Sequence, residues 1–342
     1  MNIIAGPCSA ESREQVLQTA RELSRIGVTE FRAGVWKPRT RPGNFEGAGA
    51  PALDWLGEVR GTFGMKVCTE VALRPHVEAC MEAGIDKVWI GARTTANPFM
   101  VRELAETLAG TGIPVLVKNP VNPDLDLWTG AVERFRRSGV TDITLVHRGF
   151  STFDRVRYRN TPDWQMALRM RQRFPELPFY CDPSHMSGRR EYIKEISRHA
   201  VDLGYDGLMI ESHCCPEKAL SDAAQQLTPA DLGAMLESLS GLPEPSGDET
   251  FRASLGELRA ALDGLDESIV DLLARRMDIV RGIGALKKSA GEPVIQTGRW
   301  DEVVARAVAA AGRDCLDAAF IARIFNDIHE ASIAEQNKII QQ

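Results

Sequence analysis

The sequence predicts an α/β fold, a (β/α)8 TIM barrel, followed by a small all-α domain of three helices. Before residue 240, short apolar runs alternate with longer amphipathic segments, and after residue 250 the apolar residues follow a helical spacing alone. The length of 342 residues also exceeds what one ordinary core needs. We therefore expect a barrel domain over 1–240, a linker over 241–250 and a helical domain over 251–342.

Eight apolar runs of strand length predict the strands of the barrel, because they are rich in β-branched and aromatic residues. The runs are 2–6, 30–36, 65–70, 87–91, 114–118, 142–147, 178–182 and 206–211. Helix-like segments lie between them, such as the one that Ser12 opens as N-cap and Gly27 closes. This alternation matches a (β/α)8 barrel. A doubly wound sheet is the alternative, but no G-x-G-x-x-G motif follows the first run.

The segment SGLPEPSGDET, residues 240–250, predicts the linker because it is rich in Pro, Gly and Ser. After it, apolar residues recur at spacings of three and four, which predicts a helix-packing face. This face, here called the apolar seam, comprises Leu255, Leu258, Leu262, Leu265, Ile269, Leu272, Ile279, Ile283 and Leu286. Arg276 occupies the one interrupted position of the seam. Further helices are expected over about 298–312 and 316–340.

Charge and composition exclude several classes of protein. A net charge of −6 argues against a basic surface that coats nucleic acid. The N-terminus lacks the features of a signal peptide, and no run approaches the ~20 apolar residues that span a bilayer. Seven irregularly spaced cysteines fit a reducing compartment. We expect a cytoplasmic protein without nucleic-acid or membrane partners.

The predicted carboxyl ends of the strands, where barrel active sites lie, carry many cations. These are Arg32, Lys37, Arg39, Arg93, Lys118 and Arg148. Cations gathered in one cleft repel each other, so their presence indicates that anions bind there. Guanidinium groups suit phosphate and carboxylate oxygens. The number of cations indicates more than one anionic group, as two phosphorylated substrates would supply.

The same strand ends offer one sulfur, one imidazole and two carboxylates, from Cys8, His185, Glu211 and Asp222. This mixture suits a divalent first-row metal, with Mn, Fe, Co and Zn all open. The adjacent residues His213, Cys214 and Cys215 are a less suitable metal site, because neighbours in an extended chain point to opposite faces. Glu70 is left open between a helix cap and a partner of a site residue.

Five motifs closely resemble the beta subgroup of type I 3-deoxy-D-arabino-heptulosonate 7-phosphate (DAHP) synthases, over residues 1 to about 240. They are AGPCSAES, KPRTRPG, GART, DPSHMSGRR and MIESHCCPEKALSDAAQQLT. The resemblance implies condensation of phosphoenolpyruvate with erythrose 4-phosphate. It implies one divalent metal ion, Mn²⁺ before Fe, Co or Zn, on Cys8, His185, Glu211 and Asp222. It places Arg32, Lys37, Arg93, Lys118 and Arg148 around phosphoenolpyruvate, and Arg39 and Thr40 at erythrose 4-phosphate. Lys37 and His185 are the candidates for proton handling.

The related 3-deoxy-D-manno-octulosonate 8-phosphate synthases are the alternative for the barrel. That family has K-A-N-R-S-S where this sequence has KPRTRPG, so it ranks second. The beta subgroup of DAHP synthases often carries a regulatory domain before the barrel. Since this sequence begins almost at the first strand, we expect that domain to be missing.

The tail, over about 250–340, resembles the small all-helical chorismate mutases in ELRAALDGLDESIVDLLARRMDIVRGIGALKK and ARIFNDIHEASIAEQ. The resemblance implies that chorismate or prephenate contacts Arg259, Arg276, Lys287, Arg299, Ser332 and Gln336, with Arg276, Lys287 and Gln336 catalytic. Two positions depart from the family. Gln296 stands where an Asp is common, and Trp300 where a Glu usually meets the ring hydroxyl of the substrate.

Arg276 independently indicates a ligand site, because an unpaired cation on an apolar seam costs several kcal/mol. A bound dicarboxylate would relieve that cost. Arg259 lies ~25 Å from Arg276 along one helix, so one small ligand cannot contact both from one chain. An antiparallel partner helix would solve this, so we expect a homodimer through the tail. The tail is expected to be a working mutase, an allosteric sensor that binds chorismate or prephenate and restrains the barrel, or both.

Overall fold

The computed structural model describes residues 1–37, 43–152, 157–239, 249–294, 297–313 and 316–341. The chain forms two compact units, Met1–Leu242 and Pro243–Gln342, which are described separately below. In the linker expected over 241–250, residues up to 248 lie outside the described ranges, and a helix already begins at Glu249. Within these ranges, no helix has the length and apolarity needed to cross a bilayer.

The first unit is a closed barrel of eight parallel strands, as the sequence predicts. The strands are β1 (Asn2–Gly6), β2 (Glu30–Arg32), β3 (Lys66–Val71), β4 (Lys87–Ile90), β5 (Val115–Lys118), β6 (Ile143–His147), β7 (Phe179–Cys181) and β8 (Gly207–Glu211). They pair in chain order, and β8 pairs with β1 to complete the barrel. All carboxyl ends therefore meet at one end of the barrel.

Ten of the described helices belong to this unit and surround or cap the strands. They are α1 (Arg13–Arg25), α2 (Pro51–Phe63), α3 (Arg74–Glu82), α4 (Ala92–Thr95), α5 (Pro98–Leu108), α6 (Leu125–Arg137), α7 (Trp164–Arg173), α8 (Pro183–Ser187), α9 (Ile193–Asp202) and α10 (Pro229–Leu239). The predicted N-cap of α1 is confirmed, since the Ser12 side chain accepts a hydrogen bond from the Gln15 amide.

Strand β2 is shorter than the predicted run 30–36, because the chain changes hydrogen-bond partners after Arg32. The Ala33 amide still donates to the Cys68 carbonyl of β3, but the Gly34 amide donates to the Cys8 carbonyl. The chain thus bends toward the loop after β1. This bend brings Lys37 over the end of the barrel instead of extending the strand.

Two apolar clusters form the core of the barrel unit. The larger one lies between the strands and the helices. The smaller one takes one residue from every strand except β2, and comprises Ile4, Cys68, Trp89, Leu116, Val146, Tyr180 and Met209. Because side chains alternate along a strand, these residues point into the barrel and fill it.

Gly6, at the end of β1, allows β1 and β2 to approach closely. Its φ is +152°, and a Cβ there would lie 2.0 Å from the Arg32 carbonyl oxygen. A side chain at this position would push apart the two strands that lead to Cys8 and Arg32.

The second unit consists of three helices, α11 (Glu249–Ala290), α12 (Thr297–Arg313) and α13 (Ala318–Gln341). At 42 residues, α11 is much longer than its two partners. Its C-terminal half packs on α13, where a Cβ on Gly284 would lie 3.3 Å from the Gln336 backbone. The expected three-helix fold with one long helix is confirmed.

The apolar seam does not pack inside this unit. Along its described part, Leu258 is 70% exposed, Ile269 54% and Ile283 41%. The interpretation of the seam as a packing face is therefore wrong for the single chain. Two features explain this exposure. α13 is too short to reach the N-terminal half of α11, which extends for ~63 Å. In the C-terminal half, α13 packs on the face that carries Arg276 and Gly284, which leaves Leu286 71% exposed.

Candidate active site

Three of the four predicted metal ligands meet at the carboxyl end of the barrel. The Cys8 sulfur and one carboxylate oxygen each from Glu211 and Asp222 all lie within 4.8 Å of one another. Cys8 follows β1, Glu211 ends β8, and Asp222 comes from the loop after β8. The neighbouring strands β1 and β8 thus bring together residues that are far apart in the sequence.

His185, the fourth predicted ligand, lies beside this group on α8. Its Nε2 is 3.5 Å from Glu211 Oε1. On the other side of the ring, Nδ1 is 2.7 Å from Asp182 Oδ2. Asp182 also caps α8, because its Oδ1 accepts a hydrogen bond of 3.0 Å from the His185 amide. This pairing fixes the ring so that Nε2 faces Glu211, an arrangement that metal-binding histidines share.

The carboxylate of Asp222 faces the sulfur of Cys8 at a strained position of the backbone. Its φ is +45°, in the left-handed region that residues other than glycine rarely adopt. Its Oδ2 accepts a hydrogen bond of 3.3 Å from Cys8 Sγ. Strain of this kind persists only where the surrounding contacts hold it.

Two of the residues predicted to bind phosphoenolpyruvate, Arg32 and Lys37, directly contact the predicted metal-ligating side chains. Lys37 Nζ lies 2.9 Å from Cys8 Sγ, and Arg32 Nη2 lies 3.1 Å from Glu211 Oε1. Arg32 is only 1% exposed, and its Nε and Nη1 have no hydrogen-bond partner among the described residues. Buried guanidinium donors without partners are costly, so the site is built to receive an acceptor.

The remaining predicted cations lie around the same end of the barrel. Lys118 Nζ is buried at the end of β5 and lies 2.6 Å from Asp182 Oδ2. Arg148 follows β6, and burial lowers the pKa of its guanidinium to about 10. Arg93, on α4, lies close enough to Arg148 to lower that pKa further. The predicted erythrose 4-phosphate residues Arg39 and Thr40 lie outside the described residues.

Trp89 forms the floor of the site. Its ring lies under two cations, with the Arg32 guanidinium carbon 4.7 Å and Lys118 Nζ 5.7 Å from the ring centroid. Its Nε1 donates a hydrogen bond of 3.1 Å to Glu70 Oε2. Cations over a ring face are attracted by its quadrupole. Glu70, whose role the sequence left open, is thus a partner of the site and not a helix cap.

The electrostatics leave a neutral thiol beside two carboxylates. Burial raises the pKa of the Cys8 thiol to about 12, and the Glu211 carboxylate adds to the rise. Burial opposes ionisation of Glu211 too, but His185 and the neighbouring cations together keep that pKa below its ordinary value. For Asp222, burial also opposes ionisation, but Arg159, Lys37 and the other neighbouring groups together hold the pKa far below its ordinary range. Loss of the thiol proton would complete an anionic donor set.

This donor set fits a divalent first-row metal, because it combines a sulfur, a nearby imidazole nitrogen and carboxylate oxygens. The flanking cations fit anionic ligands. The arrangement can therefore hold a Lewis-acidic ion beside a phosphorylated or carboxylated molecule.

A second group of predicted site residues meets in the tail. Arg276 Nη1 donates a hydrogen bond of 2.5 Å to Ser332 Oγ, which in turn donates to the Ile328 carbonyl. Gln336, one turn further along α13, is 8% exposed, and its Oε1 has no hydrogen-bond partner among the described residues. A cation and an unpartnered amide thus line the α11–α13 contact.

The other predicted tail residues are placed differently. Lys287 Nζ donates to the Val294 carbonyl at 2.7 Å, and Arg259 is exposed on the N-terminal half of α11. The side chain of Arg299 lies outside the described residues. Trp300, one of the two departures from the mutase pattern, stacks on His329 with ring centroids 3.9 Å apart.

Several residues that hold the barrel site have no role predicted from the sequence. Asp182 occurs there only at the end of the predicted run 178–182 and as the first residue of the motif DPSHMSGRR. Gln225 and Gln226 were quoted only within a motif, yet Gln225 Nε2 donates to Glu211 Oε2 at 2.7 Å and Gln226 Oε1 accepts from the Cys8 amide at 2.9 Å. In the sequence, only their position close to Asp222 indicates that Gln225 and Gln226 belong to the site. Trp89 lies in the predicted strand run 87–91, and this pattern does not indicate its contacts with Arg32 and Lys118.

Comparisons with known proteins agree with this geometry. The family model described as DAHP synthetase I family matches residues 1–244, and the one described as chorismate mutase type II matches residues 258–337. A phospho-2-dehydro-3-deoxyheptonate aldolase of Thermotoga maritima is 38% identical over 225 residues, covering 66% of this chain and 64% of that protein. A 2-dehydro-3-deoxyphosphooctonate aldolase of Nitratidesulfovibrio vulgaris is 29% identical over 264 residues, covering 70% of this chain and 91% of that protein.

Solved structures that resemble this chain include two of a DAHP synthase. The crystal structure of the Thermotoga maritima DAHP synthase has a TM-score of 0.64 and 36% identity, covering 70% of this chain and 68% of that chain. A truncated form of the same enzyme has a TM-score of 0.61 and 33% identity, covering 70% of this chain and 85% of that chain. The DAHP synthetase I family is generally metal-dependent, in agreement with the donor set around Cys8. The chain belongs to the DAHP synthetase I family and carries a chorismate mutase type II domain after its barrel.

Proposed function

We propose that the barrel condenses phosphoenolpyruvate with erythrose 4-phosphate to give DAHP and inorganic phosphate. The observation that carries this proposal is the juxtaposition of Cys8, Glu211 and Asp222, within 4.8 Å of one another, with the buried Arg32 and the half-buried Lys37. A divalent ion, Mn²⁺ in first place, would be held by these three residues and His185. When bound, it would supply a Lewis acid for the aldehyde oxygen.

The residues of the chain would orient the reactants and move protons. Arg32, Arg93, Lys118 and Arg148 would hold the carboxylate and phosphate of phosphoenolpyruvate, with Lys37 beside them. The C3 carbon then attacks the aldehyde carbon, water adds at C2, and phosphate leaves. Lys37 and His185 are the proposed proton carriers, since Lys37 contacts Cys8 and His185 lies beside Glu211. Arg39 and Thr40 would bind the erythrose phosphate.

Phosphate release tests the barrel proposal. Purified protein is stripped with a chelator, reloaded with Mn²⁺ and given phosphoenolpyruvate with either erythrose 4-phosphate or arabinose 5-phosphate. We expect release with erythrose 4-phosphate only, and only after the metal returns. Faster release with arabinose 5-phosphate would favour the octulosonate synthase alternative, which the Nitratidesulfovibrio vulgaris relative keeps open. Full turnover in the metal-free protein would contradict the proposed metal site.

We propose that the tail rearranges chorismate to prephenate as a homodimer. The buried Gln336 amide, whose Oε1 has no partner among the described residues, supports a site for a polar ligand, and the cation of Arg276 supports a negative charge on that ligand. Arg276 and the Arg259 of a second copy would hold carboxylates, while Lys287 and Gln336 would donate to the ether oxygen. Arg299 and Ser332 would complete the ligand contacts. The exposed apolar seam supports dimerisation, because a second antiparallel α11 would cover it.

The tail is also proposed to sense chorismate or prephenate and restrain the barrel. Such coupling requires that the ligand favour one arrangement of the protein over another. We expect prephenate to lower the synthase rate of the full chain and to have no effect on an Arg276→Ala variant. Equal rates with and without prephenate would remove the allosteric role and leave the mutase role intact.

We place the protein in the cytoplasm. The described cysteines, which include Cys8, Cys68 and Cys181, are all free thiols, as a reducing compartment favours.

A further inference from the structure

A segment that no site prediction included, Arg159–Asn160, lies against the metal site from the connection between β6 and α7. Asn160 Nδ2 donates a hydrogen bond of 2.6 Å to the His185 carbonyl, and the Arg159 amide donates one of 3.2 Å to the Ser187 carbonyl. The segment therefore supports α8, the short helix that presents His185.

The side chain of Arg159 extends from this segment to a second predicted ligand. Its Nη1 lies 3.1 Å from Asp222 Oδ1 and 2.8 Å from Gln225 Oε1. The two protons on this nitrogen are thus both engaged. Because Oδ1 of Asp222 is held by Arg159, Oδ2 is the oxygen that faces the Cys8 sulfur.

Gln225 continues the network to a third predicted ligand. It is 1% exposed, and its Nε2 donates to Glu211 Oε2 at 2.7 Å. The guanidinium of Arg159 has only donors, so the Gln225 oxygen must face it and the Gln225 amide nitrogen must face Glu211. The orientation of this amide is therefore determined by its partners.

Two backbone features lie next to Arg159. Gly188 has a φ of +67°, and a Cβ there would lie 2.5 Å from the Arg159 Cβ. The left-handed backbone of Asp222, with a φ of +45°, is held on its outer side by the same guanidinium. Arg159 therefore packs against the end of α8 at its Cβ and pairs with Asp222 at its guanidinium.

We propose that Arg159 and Gln225 are positioning residues that orient the Asp222 and Glu211 carboxylates before a metal ion binds. This inference rests on the metal site proposed above. Hydrogen bonds to ligating carboxylates typically change metal affinity by about 10- to 100-fold. Arg159 would then act through the ligands, and not on the phosphorylated substrates near Arg93 and Arg148.

The experiment measures the Mn²⁺ dissociation constant of the full chain by electron paramagnetic resonance. It compares wild type with Arg159→Gln, Arg159→Lys and Arg157→Gln. Arg157 is the matched control, because it lies on the same segment, is similarly exposed, and pairs with Glu195 at 2.6 Å, away from the site. The melting temperature of each metal-free variant is measured in parallel.

We expect Arg159→Gln to weaken Mn²⁺ binding by about 10- to 100-fold. Arg157→Gln should bind as wild type, and Arg159→Lys should fall between the two because it keeps the charge. With Co²⁺ as the probe, the visible absorption bands of Arg159→Gln at saturation should shift relative to both wild type and Arg157→Gln. A purely structural role would leave those bands unchanged.

Three results would overturn the inference. One is a Mn²⁺ dissociation constant in Arg159→Gln equal to that of wild type. Another is normal metal binding with lost turnover, which would assign Arg159 to the substrates. The third is weaker binding accompanied by a lower metal-free melting temperature and unchanged Co²⁺ bands in both Arg159 variants. If wild type itself binds no Mn²⁺, the proposed metal site fails, which is a separate outcome.

Discussion

The barrel buries its apolar residues within one chain, whereas the tail leaves many of its own exposed. Ile4, Trp89 and Met209 are fully buried inside the barrel, but Leu258 and Ile269 on α11 are 70% and 54% exposed. The barrel therefore completes both its core and its candidate site by itself. The tail leaves an apolar face of α11 exposed, as the proposed homodimer would require, and Arg259 lies on this helix far from Arg276.

The first prediction compares an aspartate substitution in the barrel core with one on the exposed face of α11, and it has the largest expected effect. Leu116→Asp puts an unpaired carboxylate inside the barrel, where the cost of several kcal/mol approaches the whole stability of a domain. We expect no folded barrel by circular dichroism. Ile269→Asp should leave the barrel folded and synthase activity intact, but halve the mass measured by light scattering. A monomeric wild type would break the comparison.

The second prediction concerns the tail site. Arg276→Ala removes a cation that contacts Ser332, so the rate of chorismate consumption should fall by about 10²- to 10³-fold. Arg275→Ala is the control, because this neighbour is exposed on α11. The synthase rate without added ligand should be the same in both variants. Equal mutase rates in the two variants would show that Arg276 does not hold the substrate.

The third prediction concerns the pH dependence of metal binding at Cys8 in the barrel, and its expected effect is smaller. The pKa of Cys8 is about 12 in the metal-free protein, so the thiol keeps its proton between pH 6 and 8. A bound metal requires the thiolate, and binding therefore releases this proton. Since the carboxyl groups of Glu211 and Asp222 are already ionised there, Mn²⁺ affinity should rise about tenfold per pH unit through Cys8 alone.

Mn²⁺ titrations at pH 6, 7 and 8 check the slope. Cys8→Ala is the matched variant, which should bind more weakly and with little dependence on pH. An affinity for wild type that stays constant over this range would mean that Cys8 does not ligate the ion.

The sequence was sufficient to predict the barrel because its strands are buried on both faces and read as short apolar runs. It placed Cys8, Glu211 and Asp222 together because strand ends in a barrel converge on one side. The same logic could not find Gln225 or Arg159. Their roles depend on which atoms a loop brings within hydrogen-bond distance, and residue type and spacing do not encode that.

The seam shows a different limit of sequence reasoning. A spacing of three and four residues identifies the face of α11 that will be covered, but it does not say by what. Arg276, at the edge of that face, reaches α13 of its own chain, whereas Ile269 and Leu272 remain uncovered. The folded helices separate these cases, because α13 packs on the face of α11 that carries Arg276 and Gly284 and leaves Leu272 beside it exposed.

Trp89 has a consequence for how this enzyme can change. Its indole fills the inside of the barrel on one side and supports Arg32 and Lys118 on the other. A smaller residue would leave a cavity inside the barrel and remove the ring face that Arg32 and Lys118 contact. The stability of the barrel and the binding of its anionic ligands therefore both depend on this one ring, and a substitution that changes one property should change the other.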